Sequence, residues 1–123
     1  MANIVYIDDA PADTAMMQSF LRSAGHSMTA YHSSVGVEEK VQAEQPTLIL
    51  LDIVMPERNG YEVLRALKRQ GSTKAVPVIL VTSKGEETDV RWGLRQGAAA
   101  YVTKPFSESS LLEAITEQLA APT

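Results

Sequence analysis

"LLDIVMPERNG", residues 50–60, decides the fold. Leu50 and Leu51 close an apolar run that begins with Leu48 and Ile49, and Asp52 follows at once. A short run apolar on every residue suits a central parallel strand covered on both faces. After the acid come Met55-Pro56, two polar residues and Asn59-Gly60. Proline fixes φ and glycine accepts backbone conformations closed to other residues, so the strand is expected to hand over to a loop of prescribed shape.

Working outward, two periods alternate. Residues 4–7, 28–31, 48–51, 78–81 and 101–102 read as strands. Between them lie segments of helical spacing. The first holds Met16, Met17, Phe20 and Leu21 and stops at Gly25; the second runs from about 35 to 44, before Pro46. The third holds Val63, Leu64 and Leu67 and stops at Gly71; the fourth holds Val90 and Leu94 and stops at Gly97. The last holds Leu111, Leu112, Ile115 and Leu119, with Ser107 as its expected N-cap and Glu108 complementing its dipole. Five strands alternating with five helices predict an α/β fold, a parallel sheet with helices on both faces. The mixed second strand suits an edge. No repeat, linker or low-complexity tract interrupts the pattern.

The chain has 123 residues, 45% hydrophobic, which is enough for one domain with a core and too little for two. It carries no cysteine, which excludes disulfides, thiolate metal sites and a cysteine nucleophile. A net charge of −4 argues against a nucleic-acid partner. No stretch is long and apolar enough for membrane insertion, and the N-terminus lacks a signal-peptide pattern.

In an open parallel sheet, ligands gather at the carboxyl ends of the strands. Strand one ends in Asp8-Asp9, strand three in Asp52, strand four in Thr82-Ser83 and strand five in Thr103-Lys104-Pro105. Three carboxylates, a hydroxyl pair and a lysine therefore converge. Two unit charges ~4 Å apart repel by roughly 4 kcal/mol at an effective dielectric near 20, so either the carboxyl pKa values rise or a cation compensates. An all-oxygen ligand set favours Mg²⁺. Carboxylate, divalent ion, lysine and hydroxyl together suit the stabilisation of a phosphoryl group.

"IDD" at 7–9, "LLDIVMPERNG" at 50–60, "PVILVTS" at 77–83 and "AYVTKPF" at 100–106, in this order, resemble a response-regulator receiver domain of two-component signalling. The resemblance implies a flavodoxin-like (CheY-like) three-layer sandwich with strand order 2-1-3-4-5, and one receiver domain over 1–123 with no output domain. It implies that Asp52 accepts a phosphoryl group from the phosphohistidine of a sensor histidine kinase or phosphotransfer protein. By the same resemblance, Asp9 binds Mg²⁺ directly, Asp8 through a water, and Val54 through its backbone carbonyl. Thr82 is the switch hydroxyl, Lys104 pairs with the phosphoryl group, Lys104–Pro105 is a cis bond, and Tyr101 moves with Thr82. A cytoplasmic phosphoprotein that signals to a downstream effector follows. "SKGEETDVRWGLRQGAAAYVTKPF" looks most like the single-domain receivers of type IV pilus chemosensory systems. The sequence departs from many relatives at Ala10-Pro11, and Val54 and Lys84 occupy variable positions that bear on phosphoryl lifetime.

The alternatives are a phosphate sink for a shared kinase, a pseudo-receiver that only binds partners, and a flavodoxin-like cofactor binder. The last would want a Gly/Ser/Thr-rich loop where Asp-Asp-Ala-Pro stands. Trp92, the sole tryptophan, sits ~200° from Val90 on the helical wheel and points away from the sheet, either covering a neighbouring helix or anchoring a partner. His26 and His32 read as surface or edge residues, Asp13 as a helix-dipole partner, and Met16 and Met17 as core.

Overall fold

A computed structural model describes residues 2–69 and 71–120. Met1, Gln70 and residues 121–123, which the one-domain reading of 1–123 includes, lie outside the described residues. The elements run β1 (Asn3–Ile7), α1 (Pro11–Ser23), β2 (Ser27–Tyr31), α2 (Val37–Glu44), β3 (Leu48–Leu51), α3 (Gly60–Arg69), β4 (Val78–Thr82), α4 (Glu87–Arg95), β5 (Ala100–Thr103) and α5 (Glu108–Ala120). All strands are parallel, in the order β2-β1-β3-β4-β5. β3 is central and buried at every residue, as its apolar run requires.

Alternation along the strands splits the core into two layers. Val5, Ile7, Ile49, Leu51 and Leu80 face one side, with Val37 and Val41 of α2 and Val63, Leu64 and Leu67 of α3. Ile4, Tyr6, Leu48, Leu50, Ile79 and Val81 face the other, with Met17 and Leu21 of α1 and Leu111 and Ile115 of α5. The result is the three-layer sandwich.

Helix ends follow local chemistry. Pro11 opens α1, where a missing N–H costs nothing. Ser107 caps α5: its Oγ accepts the Ser110 N–H at 3.1 Å. Gly25 and Gly97, past the ends of α1 and α4, take positive φ of 85° and 114°. α2 starts at Val37 rather than near 35, after Gly36 in the left-handed region, and Val35 is left 58% exposed.

Three expectations are corrected here. Met17 is buried but Met16 is 36% exposed, because neighbours on a helix lie ~100° apart and only Met17 shares the face of Leu21. Leu94 is 44% exposed; the buried position of α4 is Gly93. A Cβ on Gly93 would lie 2.8 Å from Leu80 Cδ1 and 2.9 Å from Tyr101 Cε2, so the absent side chain makes room for the Tyr101 ring. Gly60, expected to supply an unusual backbone conformation, instead supplies a close approach. A Cβ there would stand 2.2 Å from the Asp52 carbonyl oxygen and 2.7 Å from Ile53 Cα. Backbone cannot yield as a side-chain tip does. Gly60→Ala is expected to cost about 2 kcal/mol in denaturant unfolding. An unchanged unfolding midpoint would show that the loop tolerates the methyl.

Candidate functional site

Parallel strands of matched register bring their carboxyl ends to one edge. Asp8 and Asp9 follow β1, Asp52 follows β3, Thr82 ends β4, and Lys104 follows β5. Carboxylate oxygens of Asp8, Asp9 and Asp52 all lie within 4.8 Å of one another, so the convergence read from the strand ends is present. Asp8 and Thr82 are fully buried, Asp52 nearly so, and Asp9 is exposed.

Lys104 reaches into the cluster. Its Nζ lies 2.7 Å from Asp8 Oδ2, 2.7 Å from Asp13 Oδ2 and 3.6 Å from Asp52 Oδ2. The Lys104–Pro105 peptide is cis, as expected. Burial pulls the lysine's pKa down, but the hydrogen bonds it donates to Asp13 and Asp8, with the nearby Asp52 charge, outweigh it and leave it above the ordinary lysine value. Burial pushes the Asp52 carboxyl up; the Lys104 ammonium pulls it back, the Asp8 charge pushes it up again, and the balance stays above the usual carboxylate range.

Asp13 is more than a dipole partner, because its carboxylate shares Lys104 with Asp8. Its signal in the sequence was its place in the first turn of the helix that follows the Asp8-Asp9 strand end. Tyr6 was missed altogether. It is fully buried, and its hydroxyl donates to Asp8 Oδ2. The Ala10 N–H donates to Asp8 Oδ1 at 2.9 Å. Both oxygens of the buried carboxylate are thus satisfied, as burial of a charge demands.

The remaining residues frame the cluster. Val54 is 54% exposed, and its N–H lies 3.4 Å from Asp52 Oδ1. Thr82 Oγ1 accepts the Lys84 N–H at 3.4 Å, while the Tyr101 hydroxyl donates to the Lys84 carbonyl at 2.5 Å. Burial raises the Tyr101 phenol, so it stays a donor at neutral pH. Neither histidine is idle. His32 Nδ1 lies 3.1 Å from the Asp8 carbonyl, and His26 Nδ1 accepts the Ala2 N–H at 3.1 Å. Trp92 covers a neighbouring helix and is still partly exposed. It is 46% exposed, yet its ring meets Tyr61 of α3 edge-on at 6.4 Å between centroids. With Thr88, Arg91 and Arg95 it lines a shallow groove of about 160 Å³.

Chemically, the cluster offers hard oxygen ligands, a cation held within 4 Å of two buried acids, and a buried hydroxyl. Among the described residues no helix is long and apolar enough to cross a membrane.

Comparison with known proteins agrees with this geometry. The chain is 40% identical over 120 residues to the protein PilH of Pseudomonas aeruginosa, spanning 98% of this chain and 99% of that one. It is 36% identical to the torCAD operon transcriptional regulatory protein TorR of Escherichia coli, over 89% of this chain but only 46% of TorR. Its fold matches the receiver domain of a Pseudomonas aeruginosa sensor histidine kinase, crystallised with a magnesium ion in its active-site cleft. The TM-score is 0.89, with 23% identity and 98% of both chains covered. The model of the response regulator receiver domain matches residues 4–116, and with it the chain belongs to the response regulator receiver family.

Proposed function

We propose that the chain acts as a stand-alone receiver. Asp52 takes a phosphoryl group from a phosphohistidine of a sensor histidine kinase or phosphotransfer protein, and the phosphorylated form signals by contact with a downstream effector. The observation that carries the reading is Asp52 itself. It is a nearly buried carboxylate at the end of the central strand, within 3.6 Å of a lysine, in a cluster that lacks enough positive charge.

In the transfer, an Asp52 oxygen forms a bond to phosphorus as the P–N bond breaks. The electron pair leaves with the imidazole nitrogen. Lys104 faces the phosphoryl oxygens from its place beside Asp52. Thr82 stands at the end of the neighbouring strand with its hydroxyl held only by a long bond, free to turn to them. Because Tyr101 hangs on the carbonyl of the same Lys84 whose N–H Thr82 accepts, a shift of Thr82 bears directly on the Tyr101 anchor.

The donor set fits Mg²⁺: three clustered carboxylates and no soft ligand. Asp9 would bind the ion directly and Asp8 through a water, with Asp52 and the Val54 carbonyl completing the set. When bound, the ion supplies the positive charge that offsets the acids and the phosphoryl oxygens. Asp9→Asn is expected to weaken Mg²⁺ at least tenfold, about 1.4 kcal/mol, in a calorimetric titration. Thr82→Ala should leave it nearly unchanged; equal losses in both would undo this division of roles.

The near-complete coverage of PilH supports a stand-alone regulator of pilus-type chemosensory signalling, for which we propose a cytoplasmic setting. Trp92 is the proposed effector anchor, flanked by Arg91 and Arg95. Trp92→Ala is expected to cost the fold about 1 kcal/mol through the lost Tyr61 contact, and partner affinity ~2 kcal/mol or more, while Asp52 still labels. Wild-type affinity for an effector would move the anchor elsewhere. The function as a whole is tested by mixing the chain with histidine-phosphorylated candidate kinases and timing phosphoryl transfer. Transfer within seconds from one of them is the expected result; transfer to the same extent in Asp52→Asn would refute the acceptor.

A further inference from the structure

Arg58 lies six residues past Asp52, in the loop that joins β3 to α3. The ends of that loop are fixed by backbone: the Asp52 N–H donates to the Ile7 carbonyl at 2.9 Å, and the Gly60 N–H to the Ile53 carbonyl at 2.7 Å. Its middle, Val54, Pro56 and Glu57, is exposed. Met55 anchors this stretch by burying its side chain in the core, and Arg58 supplies its polar tie. Its N–H donates to Ser34 Oγ at 2.9 Å, and its Nη1 donates to the Ser34 carbonyl at 3.0 Å. Its two guanidinium nitrogens donate to the two oxygens of Glu38 at 2.6 and 3.0 Å. Ser34 is fully buried, and the Arg58 and Glu38 side chains are 27% and 18% exposed.

The partner segment carries a second fastening. His32, two residues before Ser34, holds its Nδ1 3.1 Å from the Asp8 carbonyl, and a carbonyl partner makes that nitrogen the donor. The stretch from His32 to Glu38 therefore ties the loop bearing Asp8 and Asp9 to the loop bearing Asp52 and Val54. A two-pronged arginine–carboxylate pair is the strongest and most direction-specific ion pair available to such a tie. Glu38 stands in the first turn of α2, where the helix favours negative charge. The Arg58 hydrogen bonds also hold its carboxyl below the usual range, so the pair is ionised at neutral pH.

We propose that Arg58 and Glu38 are positioning residues for the acid cluster: their pair sets the Asp52–Val54 loop against the Asp8–Asp9 loop before any ion or phosphoryl group arrives. This rests on the reading of the cluster given above. Without the pair, the exposed part of the loop must be ordered when a ligand binds, and the conformational freedom lost then weakens binding.

The test uses Mg²⁺ titration of the whole chain, read by calorimetry, with acetyl-phosphate labelling as an independent readout. Arg58→Met removes a positive charge near the acids and Glu38→Gln removes a negative one. A purely electrostatic role would shift Mg²⁺ affinity in opposite directions. A positioning role weakens both variants, by about five- to tenfold, with the double variant no worse than either single. Arg58→Lys, which keeps the charge and loses the fork, should fall between wild type and Arg58→Met, and it serves as the folded probe if Arg58→Met is unstable. At saturating Mg²⁺ the labelling rate of all variants should return to within about twofold of wild type. Opposite shifts, unchanged Mg²⁺ affinity in folded variants, or losses that multiply in the double variant would overturn the proposal. If wild type binds Mg²⁺ but never labels, the phosphoryl reading fails while the Mg²⁺ comparison still decides the role of Arg58.

Discussion

Lys104→Ala is expected to destabilise the Mg²⁺-free protein by about 3 kcal/mol, lowering the thermal midpoint by roughly 10 °C. The lysine's three neighbours explain the size. Asp8 is fully buried and Asp52 nearly so, and removing the ammonium leaves both, with Asp13, facing one another. Removing one partner of a buried pair strands the other charge, which is where the large penalty lies. The same change should tighten Mg²⁺ at least threefold, because a positive charge that repels the ion has gone. Phosphoryl acceptance should nonetheless fall by two orders of magnitude or more, since the cation facing the phosphoryl oxygens is lost. Opposite movement of metal affinity and transfer rate is the signature. A Lys104→Ala protein as stable as wild type, with weaker Mg²⁺ binding, would mean the lysine does not compensate these acids.

Asp52→Asn is the second large effect, and its signs differ by property. Labelling by acetyl phosphate should disappear. Stability in EDTA at neutral pH should rise. The folded carboxyl sits above its unfolded value, so at neutral pH the folded state holds this charge at a disadvantage. Such a group subtracts stability above the unfolded carboxylate range, and the subtraction vanishes as pH falls below about 4, where both states are protonated. Wild type and Asp52→Asn should therefore differ at pH 7 and converge near pH 3. With Mg²⁺ present the order should narrow or reverse, because the variant has lost a ligand. A variant less stable than wild type in EDTA at pH 7 would contradict the electrostatics.

The site residues legible in the sequence were those carried by strand geometry. Asp8, Asp9, Asp52, Thr82 and Lys104 stand at or just past the ends of parallel strands, and a parallel sheet leaves little choice about where such ends meet. What escaped depends on depth and reach. Asp13 sits on a helix turn, where periodicity gives direction but not distance to Lys104. Tyr6 reads as one more strand residue until its hydroxyl is seen to reach Asp8. Arg58 and Glu38 come from separate segments, and two charged residues 20 apart look like ordinary surface. The misreading of α4 has a different cause from that of Met16. A glycine counts as a break in an apolar pattern, yet Gly93 is the packing surface of α4 because its missing side chain admits Tyr101. Gly60 likewise matters for the space it leaves beside the Asp52 backbone.

The central claim is that Asp52 accepts a phosphoryl group in a site that Mg²⁺ completes. Intact-mass measurement after incubation with acetyl phosphate tests it most directly, followed by peptide mapping of the product. The account predicts one adduct of ~80 Da, a single added phosphoryl group, confined to the peptide holding Asp52 and absent when EDTA replaces Mg²⁺. An adduct on any other residue, or one of equal yield in EDTA, would contradict it.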